Sequence, residues 1–165
     1  MGFESAAEYT VPYLHPLAVH FPLVLLLLAA AAAAAYAALG TGVWRRATLA
    51  LLLLGVPAAY WAHETGETLE EAVEGEPAVE RFVEYHETAA SWTLWTSVAA
   101  LLATAGGTLW WRRRQKERVT ADPGGAPRKE PLGLRLLVLV AALAAALLVA
   151  YTGHLGGLMV WGVPR

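Results

Sequence analysis

Apolar residues fall in four blocks separated by polar stretches, and the blocks set the expected elements. The first runs from about His20 to Leu39, the second from about Ala47 to Trp61, the third from about Ala89 to Trp111 and the fourth from about Leu136 to Tyr151. Each is near the ~20 residues, or slightly fewer, that a helix needs to cross a ~30 Å hydrocarbon layer. A lipid interior offers no partner to an open strand edge, so the blocks predict helices. The expected fold is an all-α membrane protein, one four-helix transmembrane up-down bundle over 1–165.

Composition agrees: 57% of the residues are hydrophobic and the mean hydropathy is +0.45, too apolar for an ordinary soluble domain. The stretch before the first block has no Lys or Arg and carries Glu4 and Glu8, unlike the basic start of a signal peptide, so no cleavage is expected.

The net charge is only −2, but the charges are segregated. Ten of the twelve basic residues lie in two places, Arg45 with Arg46 and the stretch Arg112 to Arg135. The positive-inside rule makes both loops cytoplasmic and leaves both termini and the 62–88 connection extracytoplasmic, an N-out, C-out protein of the bacterial inner membrane. Trp92 and Trp95 at one end of the third block, with Trp110 and Trp111 at the other, fit the aromatic belts of the two interfaces. Topology accounts for the basic stretch, so no nucleic-acid partner is expected. Its mixture of like charges with Pro and Gly predicts a mobile cytoplasmic connector over 112–135.

The 62–88 connection holds nine glutamates against one Arg81 and is expected to be an acidic helical hairpin extending the second and third helices. EGEP at 74–77 marks its turn, with Pro77 suited to a first helical position. Two continuations past Gly66 stay open. A break there makes Thr68 and Glu71 a capping box, and an unbroken helix puts His63, Glu67, Glu70 and Glu74 on one stripe.

All five histidines, His15, His20, His63, His86 and His154, fall where an expected helix meets one and the same face of the bilayer. Ionisable groups near membrane-helix interiors are functional candidates by default, although an imidazole also tolerates the headgroup zone as Tyr and Trp do. His15 and His20 are about 140° apart on a regular helix, too far around for same-face chelation. Pro16 and Pro22 help start or kink that helix. Glycines flank His154 in TGHLGG, which permits either a flat ligand or close helix packing.

Neutral imidazoles on separate helices of a bundle are the usual way to hold a non-covalent haem b, and the absence of cysteine excludes thioether-attached haem and thiolate metal sites. The chain is thus expected to bind one or two haem b groups through the pairs His20 with His154 and His63 with His86, with His15 nearby. It is read as an electron-transfer subunit rather than a stand-alone enzyme. Its acidic hairpin would attract a basic periplasmic cytochrome c, or the chain would sit in a larger respiratory complex. A second reading places a transition metal ion at a non-haem site of His63, Glu67, His86 and Glu87. A third makes the chain a cofactor-free accessory subunit whose histidines and glutamates seal contacts. HETGE at 63–67 is not the HExxH zincin pattern, and no Ser–His–Asp arrangement stands out.

HPLAVHFPLVLLLL at 15–28, TGE at 65–67 followed by EEAVE and later His86–Glu87, and TGHLGGLMVWG at 152–162 together resemble an uncharacterised bacterial domain-of-unknown-function family of short four-helix membrane proteins. The HPLxVHFP and TGHxGG motifs carry the resemblance, which spans nearly the whole chain. It implies the four-crossing fold and singles out His15, His20, His86 and His154, with His63 less securely part of the pattern.

Overall fold

The computed structural model describes residues 14–73, 77–124 and 130–161, all of them helices and short links. In chain order the helices are α1 (His15–Ala18), α2 (His20–Leu39), α3 (Gly42–Val73), α4 (Pro77–Ala121) and α5 (Leu132–Trp161). The four long helices pack in the cyclic order α2, α3, α4, α5, with α5 returning against α2. Successive helices run antiparallel, so the bundle is up-down as expected. Glu4, Glu8, Glu74 and the Gly75 turn lie outside the described residues, as do the side chains of Glu70, Glu71, Glu80 and Arg81.

The blocks of apolar sequence extend into longer helices. α2 matches its block, whereas α3 continues through Gly66 to Val73 and α4 runs for 45 residues. At ~1.5 Å per residue α4 is roughly 67 Å long, about twice the thickness of a ~30 Å hydrocarbon layer. Pro77 opens it at the position where a missing N–H costs nothing. The acidic connection is therefore helical up to Val73 and again from Pro77.

Two expectations for the links change. Gly66 does not interrupt α3, and Thr68 is no cap: its hydroxyl donates to the Glu64 carbonyl one turn back, at 3.4 Å. One glycine inside a helix costs only ~1 kcal/mol, too little to end a helix supported by packing. The basic stretch is not a loose connector throughout either, because α4 carries it in helical form as far as Ala121.

The buried faces of α2 and α5 consist of small and branched apolar residues. Leu26, Ala29, Ala33 and Tyr36 face Val138, Ala142, Ala146 and Val149, whose small side chains allow close helix approach. α4 differs, burying Ala89, Thr93, Ser97, Ala100, Thr104 and Thr108 at helical spacing. Thr93, Thr104 and Thr108 each donate to the carbonyl four residues back at 2.7–2.8 Å, so these inward hydroxyls carry no unmet hydrogen bond. Those hydroxyls lower the apolarity of α4. Among the described residues three helical segments, His15–Leu39, Gly42–Leu69 and Leu132–Trp161, are long and apolar enough to cross a membrane. Large apolar side chains such as Leu28, Leu54, Leu102 and Leu147 point outward, as lipid contact requires.

One end of the bundle is closed by buried charge. Arg45 donates from Nη2 to Glu130 Oε1 at 3.1 Å, and its Nε lies 3.0 Å from Oε2. The hydroxyl of fully buried Tyr36 donates to the same carboxylate. Beside them α2 ends at Gly40 in the left-handed conformation, φ 66°, where a side chain would be strained. Arg135 donates to the exposed last carbonyls of α2, Ala37 and Ala38, satisfying groups that a helix C-terminus leaves open.

Candidate functional site at the histidine end of the bundle

The opposite end carries the histidines. Pro22 has no N–H to offer the carbonyl four residues earlier, so the hydrogen bonding is interrupted at Val19 between α1 and α2, although Val19 itself keeps a helical backbone at φ −62°, ψ −23°. His15 stands in the first turn, with Pro16 in its first positions. His15 is half-buried against α3, while His20 is exposed.

His15 Nδ1 lies 2.9 Å from the Ala62 carbonyl and 3.3 Å from Thr65 Oγ1. A carbonyl can only accept, so Nδ1 carries the hydrogen and Nε2 keeps a free lone pair in the neutral ring. The same logic holds on α4, where His86 Nδ1 lies 3.0 Å from the Thr152 carbonyl of α5. Hydroxyl contacts brace that carbonyl's helix, with Thr93 Oγ1 2.9 Å from Thr152 Oγ1. The two imidazoles meet with ring centres 6.1 Å apart and planes 86° to each other. Burial pushes the His86 imidazole below its ordinary range and the charge of His15 adds to that, while the hydrogen bond to Thr152 acts the other way. The neutral, lone-pair-bearing form of His86 is favoured as a result.

Two glycines make room for the pair. A Cβ on Gly66 would stand 3.1 Å from His15 Cε1, and one on Gly156 would stand 3.3 Å from His86 Cε1. Gly156, two positions after His154, thus serves His86, a residue seventy positions away in the chain.

His63 turns to another face. Its Nε2 lies 3.2 Å from Ser91 Oγ on α4 and its Nδ1 lies 3.7 Å from Glu67 Oε1 one turn along α3. His154, Glu67 and Glu87 are exposed. The structure accordingly brings His15 to His86, and His63 to Glu67, without joining His63 to His86 or burying His20 and His154. Among the described residues no three His, Asp or Glu side chains converge as ligands for one ion.

Helix adjacency alone pairs His20 with His154 and His63 with His86, and it is silent on the rotation about each helix axis that turns His15 to His86. Gly66 and Gly156 were the available signal, since each stands opposite a ring. Ser91, Thr65, Thr152 and the Tyr36–Arg45–Glu130 cluster had none, because nothing in their spacing announces a partner on another helix.

A helical bundle with long apolar helices, an outward apolar surface and inward histidines at one end belongs to the membrane proteins. Residues 12–163 match the family described as predicted membrane protein (DUF2231), and the chain belongs to that family. No curated protein and no solved structure matches the chain.

Proposed function

We propose that the chain is a b-type cytochrome subunit of the bacterial inner membrane, with His15 and His86 as the residues that would hold a haem at the outer face. The observation that carries this reading is the meeting of two imidazoles from different helices, each anchored through Nδ1 to a main-chain carbonyl. An imidazole held in that way is oriented, and its remaining nitrogen is the more basic for the contact.

The donor set favours haem over a bare ion. Zinc and its relatives take three or four protein ligands, whereas a haem needs only two axial ones from the chain. The two ring centres lie 6.1 Å apart, close enough for both imidazoles to serve one shared ligand. Bound haem supplies one-electron redox chemistry. Ala62 and Thr152 fix the rings, Gly66 and Gly156 let them approach, and burial keeps His86 neutral.

The positive-inside asymmetry supports an N-out, C-out orientation, with the acidic α3–α4 overhang facing the periplasm. A basic cytochrome c, or a larger respiratory assembly, is the electron partner that such a surface would attract.

Reduced-minus-oxidised visible spectra of the protein purified from cells supplied with haem precursor test the reading. Wild type, His20→Ala and His154→Ala are expected to show the same b-type bands, whereas His15→Ala and His86→Ala lose or shift them. Absence of haem bands in the wild type overturns the proposal, and loss of bands in His20→Ala or His154→Ala with retention in His15→Ala reassigns the ligands.

A further inference from the structure

The contact between His63 and Ser91 takes no part in the imidazole pair, and it lies beside a shallow, open groove along one face of α4. Glu87, Thr88, Ser91, Trp92 and Trp95, all on α4, line it. Trp92 and Trp95 are 62% and 66% exposed, offering broad aromatic surface at the border of the apolar segment. Behind Ser91 stands His63, its side chain only 19% exposed, and behind His63 stands Glu67, 59% exposed. A hydroxyl, an imidazole and a carboxylate thus connect the groove wall to water.

Such a row has two familiar uses, acyl transfer and proton removal. Acyl transfer needs main-chain N–H groups aimed at an oxyanion. Ser91 lies well inside α4, where those N–H groups are committed to helix bonds. Proton removal needs only the row itself.

We propose that this groove receives a lipid-soluble quinol, a 1,4-dihydroxyaromatic, and that Ser91 and His63 carry one of its protons to Glu67 and water. The inference rests on the redox reading above, because the electrons need a one-electron acceptor of haem type at His15 and His86. The aromatic ring lies against Trp92 and Trp95, and a ring hydroxyl meets Ser91. As that O–H bond breaks, its proton passes to Ser91 Oγ while the serine proton moves to His63 Nε2. The imidazolium then faces Glu67 and releases its Nδ1 proton toward water. The second ring hydroxyl loses its proton to water at the open side of the groove. Two C–O bonds become carbonyls, and the two electrons leave one at a time for the acceptor. Ser91 touches the substrate and His63 acts through it, so His63 is a positioning and relay residue.

Two measurements on the full chain in lipid nanodiscs separate this idea from the one on which it rests. Quenching of tryptophan fluorescence by a short-chain oxidised quinone needs no haem, and is expected to saturate in wild type and to weaken at least tenfold in Ser91→Leu and Trp95→Ala. Haem reduction by a short-chain quinol is expected to slow about 100-fold in His63→Gln, the low end of the usual effect of a positioned proton acceptor. In that variant quinone affinity and the dithionite-reduced spectrum stay at wild-type values, and the solvent deuterium effect on the wild-type quinol rate changes. Ser91→Ala, which keeps the groove open, should slow the quinol rate likewise. Quenching that neither saturates nor responds to the groove variants overturns the quinol site. Equal quinol rates in wild type and His63→Gln overturn the relay. Saturable quenching without haem bands in any redox state keeps the groove and overturns the redox reading of the preceding section instead.

Discussion

The two ends of the bundle solve opposite problems with charged and polar side chains. At the basic end Arg45, Glu130 and Tyr36 are buried together, and Glu130 is held by partners from two other helices. At the histidine end His15 and His86 are only half-buried, each ring is held through one nitrogen, and the other nitrogen is left free. The first arrangement ties helices together, and removing Arg45 or Glu130 strands the other's charge in a low-dielectric interior. The second spends little on stability and keeps lone pairs in reserve, which is what a ligand-binding site needs. Buried charge and free imidazole nitrogens are therefore separated along the bundle axis.

Substitutions that strike one end and spare the other test this separation. Glu130→Ala should have the largest effect, a loss of about 3–5 kcal/mol, because Arg45 is left buried without its counter-charge. Reversible unfolding in mixed detergent measures it, and a loss below about 1 kcal/mol would show that the pair is not closing that end. Tyr36→Phe removes one hydrogen bond to a carboxylate that Arg45 still holds, so roughly 1.5–3 kcal/mol is expected by the same measurement.

At the other end the order of effects on stability and on chemistry should invert. His86→Ala removes one hydrogen bond to a carbonyl already used by its own helix, a loss of about 1 kcal/mol, yet it should abolish or shift any b-type spectrum. A loss as large as that of Glu130→Ala would erase the distinction between the ends. Glycine replacements are the finest probe. Gly106→Ala, with nothing within 4 Å of its added methyl, should raise stability by about 0.5–1 kcal/mol. Gly66→Ala and Gly156→Ala should yield less than that, since each methyl pushes a ring, and should alter the imidazole nitrogen resonances that Gly106→Ala leaves in place.

Much of the fold was legible before any coordinates. The apolar block His20–Leu39 reappears as α2 residue for residue, and Pro77 opens α4 as its ring requires. The face that α4 turns inward was not legible, because Thr93, Ser97, Thr104 and Thr108 do not mark a buried stripe by hydropathy. Their hydroxyls become compatible with burial only once each bonds to its own helix. The histidines divide in the same way. Their gathering at one end followed from counting along four helices, but the choice of partners depended on rotation about each helix axis.

By itself the amino-acid sequence determined that the chain forms long apolar helices, where their polar ends lie and that every imidazole falls at a single end. These are matters of order and distance along the chain, and a helix converts them directly into height. Tertiary structure alone decided that His15 meets His86, that His63 leans on Ser91 and that Glu130 reaches back to Tyr36 and Arg45. Such contacts join residues 28 to 94 positions apart. They depend on how neighbouring helices turn their faces to one another, which packing sets and local periodicity does not.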